Sequence, residues 1–358
     1  LTTLDSTPSA HDSLSLDGAT YHFTPHPMLP AATREPYVME GAEAVVYQAR
    51  READGALFAL KAPKPAYRTH RAVVVTEALA RLADAAARDA APGFAVARRV
   101  CLTRATHPDA LARWPALEYA ALMPWVAGQS WASLLLDRYA SQAYTADRAR
   151  TLATALATAL WRLEGFGAAH TDLAGDNLIL TPDGHGVELL DLEGAYLPDL
   201  PRPDRVSVGT AGYQLPVHAQ APTGAGRRRW RWRQTGAMSD DLWRPEGDRF
   251  AAAILLVELI VWADPAVRAA TPVGAESLFQ PGELGQTSRA GRADGASVAV
   301  SGAYGPTRLS NRLAVVRAAL DAAHPPLLEL FERAWAASDL RDCPGLGEWA
   351  LALIPPSA

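Results

Sequence analysis

Apolar and polar positions along the chain fall into two regimes. Near the N-terminal side, Val45-Val46-Tyr47 and Leu57-Phe58-Ala59-Leu60 are short apolar runs separated by Asp54-Gly55, a pattern that predicts a β-hairpin. Val73 to Asp89 repeats Ala, Leu and Arg at helical spacing and stops at Pro92-Gly93. Phe94–Leu102 and Leu117–Met123 read as two further strands with a polar loop between them. After Gly128 the period changes and the chain reads mainly as helix, beginning with a long apolar face over Asp147–Phe166 that includes Trp161. Two short strands follow at Leu178–Thr181 and Val187–Leu190, joined by Pro182-Asp183-Gly184. Helical patterns resume at Arg249–Ala263, Asn311–Ala323, Pro326–Ala337 and Leu346–Leu353.

The remaining stretches lack a period. Residues 1–36 are rich in Ser, Thr, Pro and His and predict an extended leader, with regular structure starting near Tyr37. Residues 192–247 form a long irregular segment rich in Pro, Gly and Arg, and 285–305 read as a Gly-, Ser- and Arg-rich loop. The fold class expected is therefore α+β: a small antiparallel sheet lobe with one helix over 37–124, then a larger mainly α-helical lobe over 125–358. A junction of that kind suggests a ligand cleft.

Composition narrows the picture. With 49% hydrophobic and 20% charged residues the chain has the makings of a sizeable core, and a net charge of -5 argues against a general nucleic-acid binder. Cys101 and Cys343 make neither a disulfide framework nor a four-ligand zinc site, which points to a reduced, cytoplasmic compartment. Leu1 to Leu16 has no basic region followed by an apolar run, and Phe250–Trp262 is too short to span a bilayer and contains Glu258, so no membrane association is expected.

The most specific motif is His170-Thr171-Asp172-Leu173-Ala174-Gly175-Asp176-Asn177-Leu178, followed fourteen residues after Asn177 by Asp191-Leu192-Glu193-Gly194. Phosphoryl transfer needs a carboxylate to orient and deprotonate a hydroxyl and oxygen ligands for Mg²⁺. This arrangement resembles the catalytic loop and metal-binding turn of protein kinases. The resemblance implies ATP and Mg²⁺ as cofactors, Asp172 as the base, Asn177 and Asp191 as metal ligands, and His170 as a brace beneath the loop. Glu193 is either a further metal ligand or a solvated turn residue.

Other segments carry the same resemblance over roughly residues 37–353. Gly41-Ala42-Glu43-Ala44-Val45-Val46-Tyr47 resembles the nucleotide-covering loop, with Gly41 the one matching glycine and Val46 over the adenine. Lys61 in Phe58-Ala59-Leu60-Lys61 resembles the strand lysine on the α- and β-phosphates, with Lys64 a nearby competitor and Glu77 its implied ion-pair partner. Leu122 to Gly128 resembles the hinge, where Met123 would be the gatekeeper and the Pro124 carbonyl and Val126 N–H would meet adenine. Gly209-Thr210-Ala211-Gly212-Tyr213-Gln214-Leu215-Pro216 resembles the end of the activation segment, so that 191–247 comprises that segment and a basic insertion. Asp248 would bond the catalytic-loop backbone, and Leu340–Pro344 resembles the late arginine-proline corner.

Four departures from the pattern stand out. Thr171 replaces an arginine that anchors an activation-loop phosphate, and Ala174 stands in place of a lysine on the γ-phosphate. Leu192-Glu193 replaces Phe-Gly, and Val217 replaces the glutamate that would pair with Arg341. The segments 191–198 and 212–216 resemble a divergent bacterial kinase group linked with stress and tellurium resistance, which implies von Willebrand A-type and phosphatase partners and an unknown protein substrate. The implied activity is serine/threonine protein kinase. The alternatives are a pseudokinase scaffold, and a small-molecule kinase of the aminoglycoside or choline type. The run Arg227–Arg233 reads as a solvated loop or as a dock for an acidic partner, phosphate groups or single-stranded nucleic acid, and Ser207, Thr210 and Tyr213 are open as phosphate acceptors.

Overall fold

A computed structural model describes residues 7–88, 93–203, 206, 209–215, 243–279 and 306–354. Ser207, Val217, the basic run 227–233 and the stretch 285–305 lie outside the described residues. The protein is mixed α and β and divides into two compact units, Leu1–Val126 and Ala127–Ala358.

The first unit is built on a curled, wholly antiparallel seven-stranded sheet: β1 (Ser13–Leu16), β2 (Ala19–Phe23), β3 (Val38–Glu40), β4 (Ala44–Arg51), β5 (Leu57–Pro63), β6 (Val100–Cys101) and β7 (Ala121–Pro124). The order is β1-β2-β4-β5-β7-β6. Strands β2 and β3 share one edge of β4, β3 against Val45–Tyr47 and β2 against Ala49–Arg51. Strand alternation sends Tyr47, Leu60 and Leu122 to one face, where they join Leu102, Leu111, Trp114 and Leu117 in a buried core. Helix α1 (Arg71–Arg88) buries Val75, Leu79 and Leu82 at helical spacing.

Four expectations for this unit change. The predicted leader contains β1 and β2, and its alternating Leu14, Leu16, Tyr21 and Phe23 are part of the core. The two strands turn on Asp17-Gly18, both at positive φ, as a two-residue hairpin requires. The strand expected over Phe94–Leu102 is a short 3₁₀ turn, Ala95–Ala97, followed by the two-residue β6, and the one expected from Leu117 begins only at Ala121. Pro115 heads a 3₁₀ turn through Leu117 instead. The intervening loop holds helix α2 (Pro108–Arg113), with Pro108 in its first turn.

The second unit is helical around a three-stranded antiparallel sheet, β8 (Gln129–Ser130), β9 (Leu178–Leu180) and β10 (Val187–Leu189), with β9 central. Its helices are α3 (Trp131–Leu136), α4 (Arg138–Gln142), α5 (Ala146–Gly165), α6 (Arg249–Val261), α7 (Pro265–Ala270), α8 (Pro306–Ala323), α9 (Pro325–Ala336) and α10 (Leu346–Leu353). Helix α6 buries nearly every side chain and is packed by α5, α8 and α9, as an apolar-all-round helix must be. Helices α3, α4 and α7 escape a periodicity reading because each is only five or six residues long. Side-chain caps start them: Ser130 accepts from the Ser133 N–H, Asp137 from Tyr139 and Ala140, and Asp264 from Ala266. No helix among the described residues is long and apolar enough to cross a membrane.

Gly128 illustrates how tightly the small sheet is joined. Its φ is 140°, and a Cβ there would lie 2.1 Å from the Leu180 carbonyl oxygen and 2.7 Å from Ile179 Cγ2. Gly128→Ala is expected to cost at least about 2 kcal/mol in urea unfolding. Gly41 has ordinary φ and room for a Cβ, with the Ala44 oxygen at 3.5 Å, so Gly41→Ala should change stability by no more than about 0.5 kcal/mol.

Both cysteines are buried, and burial pushes the Cys101 thiol up to about 11 and the Cys343 thiol up to about 12. Neither should react with an aromatic disulfide reagent at mildly alkaline pH in the folded protein. Two thiols should titrate after denaturation.

Candidate functional site

The β9–β10 hairpin places two of the predicted residues side by side. Leu178 pairs with Leu189, and the Leu190 N–H donates to the Asn177 carbonyl at 2.9 Å. Asn177 therefore leads into one strand and Asp191 leaves the other at the same end of the hairpin. Asp191 adopts the left-handed conformation, φ 60° and ψ 49°, and starts the 3₁₀ turn Leu192–Gly194, which carries Glu193. Its side chain is exposed while Leu192 is buried beneath the turn. The Asn177 amide nitrogen donates to the Asp172 carbonyl at 2.8 Å. That bond fixes which end of the amide is which, and it leaves the oxygen as the acceptor available to a ligand.

Asp172 sits in a loop held from below. Asp248, fully buried ahead of α6, accepts from the N–H groups of His170 at 2.5 Å and Thr171 at 2.8 Å. Burial raises the Asp248 carboxyl above the ordinary aspartate range, and the nearby His170 and the two N–H donors hold it back. His170 Nδ1 accepts from the Asp172 N–H at 3.3 Å, so its proton is on Nε2, which meets the Leu190 carbonyl at 2.6 Å. One imidazole thus ties the loop to the end of β10. Thr171 has positive φ, 65°, and its hydroxyl donates to the Gly194 carbonyl at 2.8 Å. The residue that departs from the expected arginine links the loop directly to the turn after Asp191.

Residues 209–215 reach the same loop. The Thr210 hydroxyl donates to Asp172 Oδ1 at 3.1 Å. The segment is closed on itself by Gln214 Nε2, which donates to the Gly209 carbonyl at 2.6 Å, and is anchored by Tyr213, which reaches into the core. There the fully buried Glu258 accepts four hydrogen bonds, from Trp131 Nε1 (2.9 Å), the Tyr213 hydroxyl (3.0 Å), the Ser277 hydroxyl (2.7 Å) and the Leu278 N–H (2.7 Å). Burial raises the Glu258 carboxyl, and burial beside that carboxylate holds the Tyr213 phenol well above its usual range. Gly175 packs into the same knot, since a Cβ would meet the Tyr213 hydroxyl at 2.9 Å and the Ala132 nitrogen at 3.2 Å. Helix α3, the 209–215 segment and residues 277–278 therefore share one buried acceptor, and the loop packs against them at Gly175.

In the first unit, strand register groups another set. Val46 lies opposite Lys61 on β4 and β5, Lys61 opposite Ala121, and Ala59 opposite Met123 on β7. Alternation puts Val46, Ala59, Lys61, Ala121 and Met123 on the sheet face away from the Tyr47–Leu60–Leu122 core. Lys64, just beyond β5, forms an ion pair with Glu40 at 2.7 Å. Glu77 is exposed on α1. Gly41 closes the β3–β4 turn through its N–H to the Ala44 carbonyl at 2.9 Å. Pro124 ends β7, the Trp125 N–H donates to the Leu57 carbonyl at 3.0 Å, and Val126 ends the unit.

Among the described residues no group of three His, Cys, Asp or Glu side chains is arranged to hold a metal by itself. Asn177 and Asp191 are a two-residue oxygen set, which suits Mg²⁺ completed by phosphate oxygens and water. Arg341, placed by the sequence at a late corner, pairs with Asp339 at 3.1 Å and is largely exposed. The buried-side link between α5, α6 and α10 is made instead by Arg249 to Glu164 at 2.6 Å, with the Leu346 N–H on the other Glu164 oxygen at 3.2 Å.

Asp248→Asn tests the brace. An amide can accept from one of the two N–H groups but presents its own N–H₂ to the other, so the variant should lose about 2 kcal/mol or more in urea unfolding. Loss confined to the experimental error would overturn the assigned role. Comparison of the chain with family models and with curated protein sequences found no match to either.

Proposed function

We propose that the chain is an ATP-dependent serine/threonine protein kinase with a two-lobed protein-kinase-like fold, moving the γ-phosphate of Mg-ATP to a protein hydroxyl. The observation that carries this reading is the placement of Asp172, Asn177 and Asp191 around one hairpin end, braced by Asp248 and His170. Asp172 takes the proton of the attacking hydroxyl, while the Asn177 oxygen and the Asp191 carboxylate hold Mg²⁺. Glu193, on the 3₁₀ turn after Asp191, is the neighbouring carboxylate that would meet a second ion. Lys61 meets the α- and β-phosphates, with Glu77 as its pairing residue, and Gly41, Val46, Met123, Pro124 and Val126 line the nucleotide. Support for a protein acceptor comes from Thr210, a chain-borne hydroxyl at hydrogen-bond distance from Asp172.

A second reading, a nucleotide-binding scaffold without turnover, draws on Ala174, which is buried and supplies no cation beside Asp172. Transfer from Mg-ATP labelled at the γ position separates the two. The wild-type chain should label itself or a generic protein acceptor. Asp191→Ala should abolish transfer, and Asp172→Ala and Lys61→Met should each slow it by about 100-fold or more. Mg-ATP binding without transfer to any protein would leave the scaffold reading. Transfer to sugars or amino alcohols in place of proteins would replace the proposal with a small-molecule kinase.

A further inference from the structure

Two residues of the candidate site hold a backbone conformation that side chains normally avoid: Thr171 at φ 65° and Asp191 at φ 60°. Aspartate visits the left-handed region at modest cost, but a β-branched residue there is an outlier. Such strain persists where surrounding bonds over-determine the backbone, and it collects where geometry serves chemistry. Thr171 is held in that way. It is buried, its N–H donates to Asp248 Oδ1 at 2.8 Å, and its hydroxyl donates to the Gly194 carbonyl at 2.8 Å. The second bond lands on the turn that follows Asp191. Before that turn, Leu190 is fixed by its N–H on the Asn177 carbonyl and its own carbonyl on His170 Nε2. After it, Tyr196 exchanges two backbone bonds with Ala169, at 3.0 and 2.8 Å. Within it, the Ala195 N–H closes on the Leu192 carbonyl at 3.1 Å. The Thr171 hydroxyl reaches this span from the loop that carries Asp172.

We propose that Thr171 is a positioning residue for the metal: its hydroxyl, acting through Gly194, holds the 191–194 turn so that Asp191 presents its carboxylate to Mg²⁺ beside Asn177. The inference rests on the kinase reading above. It does not follow from the resemblance, which implies an arginine at this position and so no such bond. The physical reason is that a ligand left loose must be ordered when the ion binds, and the ordering is drawn from the binding energy. Loss of an outer hydrogen bond of this kind weakens a metal site by about 10- to 100-fold. A bond that served the fold alone would change melting and leave the metal's contribution untouched.

The test is calorimetric titration of the full chain with the non-hydrolysable β,γ-imido analogue of ATP, once with excess Mg²⁺ and once with a chelator. The ratio of the two affinities is the metal's contribution. Thr171→Val keeps the shape and removes the hydroxyl, so its ratio should fall by about 10-fold while metal-free affinity stays within about threefold of wild type. Thr171→Ser restores the hydroxyl and should restore the ratio. Asp191→Ala should erase the ratio altogether. An unchanged ratio in Thr171→Val, or a parallel fall in both affinities, would overturn the inference and leave the kinase reading standing. A wild-type chain that binds no analogue, or whose ratio survives Asp191→Ala, would remove the kinase reading and this inference with it. Thermal melting of each variant checks the fold, and if valine lowers the melting point below the assay temperature, Thr171→Ala against Thr171→Ser carries the same comparison.

Discussion

A carboxylate withdrawn from water must have its oxygens occupied, and among the described residues of the second unit Asp248, just ahead of α6, and Glu258, within it, are such groups. Asp248 is satisfied by two backbone N–H groups of the 170–171 turn, Glu258 by four donors drawn from α3, the 209–215 segment and residues 277–278. The apolar helix between them supplies the rigidity. Its burial on all sides fixes where the two acceptors sit, and the polar loops are then located by having to satisfy them. Asp172 and Thr210 meet because each belongs to a loop hung from the same helix. A buried network of this kind is costly when incomplete, so removing one donor leaves a defect in several segments together.

The two departures from the expected motif at positions 171 and 174 look different in this light. Thr171 is not a gap left by an arginine, since its hydroxyl joins the loop to Gly194 and its N–H joins it to Asp248. Ala174 is buried, so a long cation there would have to leave the packing. The loop is held by short-range hydrogen bonds where a charged side chain would otherwise bridge.

Much of this was legible in the sequence, for identifiable reasons. Long helices declare themselves through repeated apolar spacing, and α5, α9 and α10 lie within a residue of their predicted limits. The hairpin of β9 and β10 was legible from Pro182-Asp183-Gly184 and its apolar flanks. The strands β1 and β2 carried the same kind of signal, alternating residues around Asp17-Gly18, but the Ser- and Thr-rich composition masked it. Helices α3, α4 and α7 are too short to show a period and are set by their caps and packing. The donors to Glu258 come from positions 131, 213, 277 and 278, and no local pattern around residue 258 points to them. The contact of Thr210 with Asp172 spans thirty-eight residues and is equally invisible to spacing.

The β1–β2 hairpin has a practical side. Leu14, Leu16, Tyr21 and Phe23 belong to the same core as Tyr47, Leu60 and Trp114, while Arg113 to Asp12 at 2.7 Å ties the hairpin's approach to α2. A recombinant version trimmed to begin at Tyr37, where the recognisable motifs start, would strip a whole edge from the sheet and open its aromatic interior to solvent. Such a fragment would aggregate on expression, and its inactivity would say nothing about chemistry. Boundaries for any domain-level work should therefore be set ahead of Ser9, whose backbone and hydroxyl already grip Asp12.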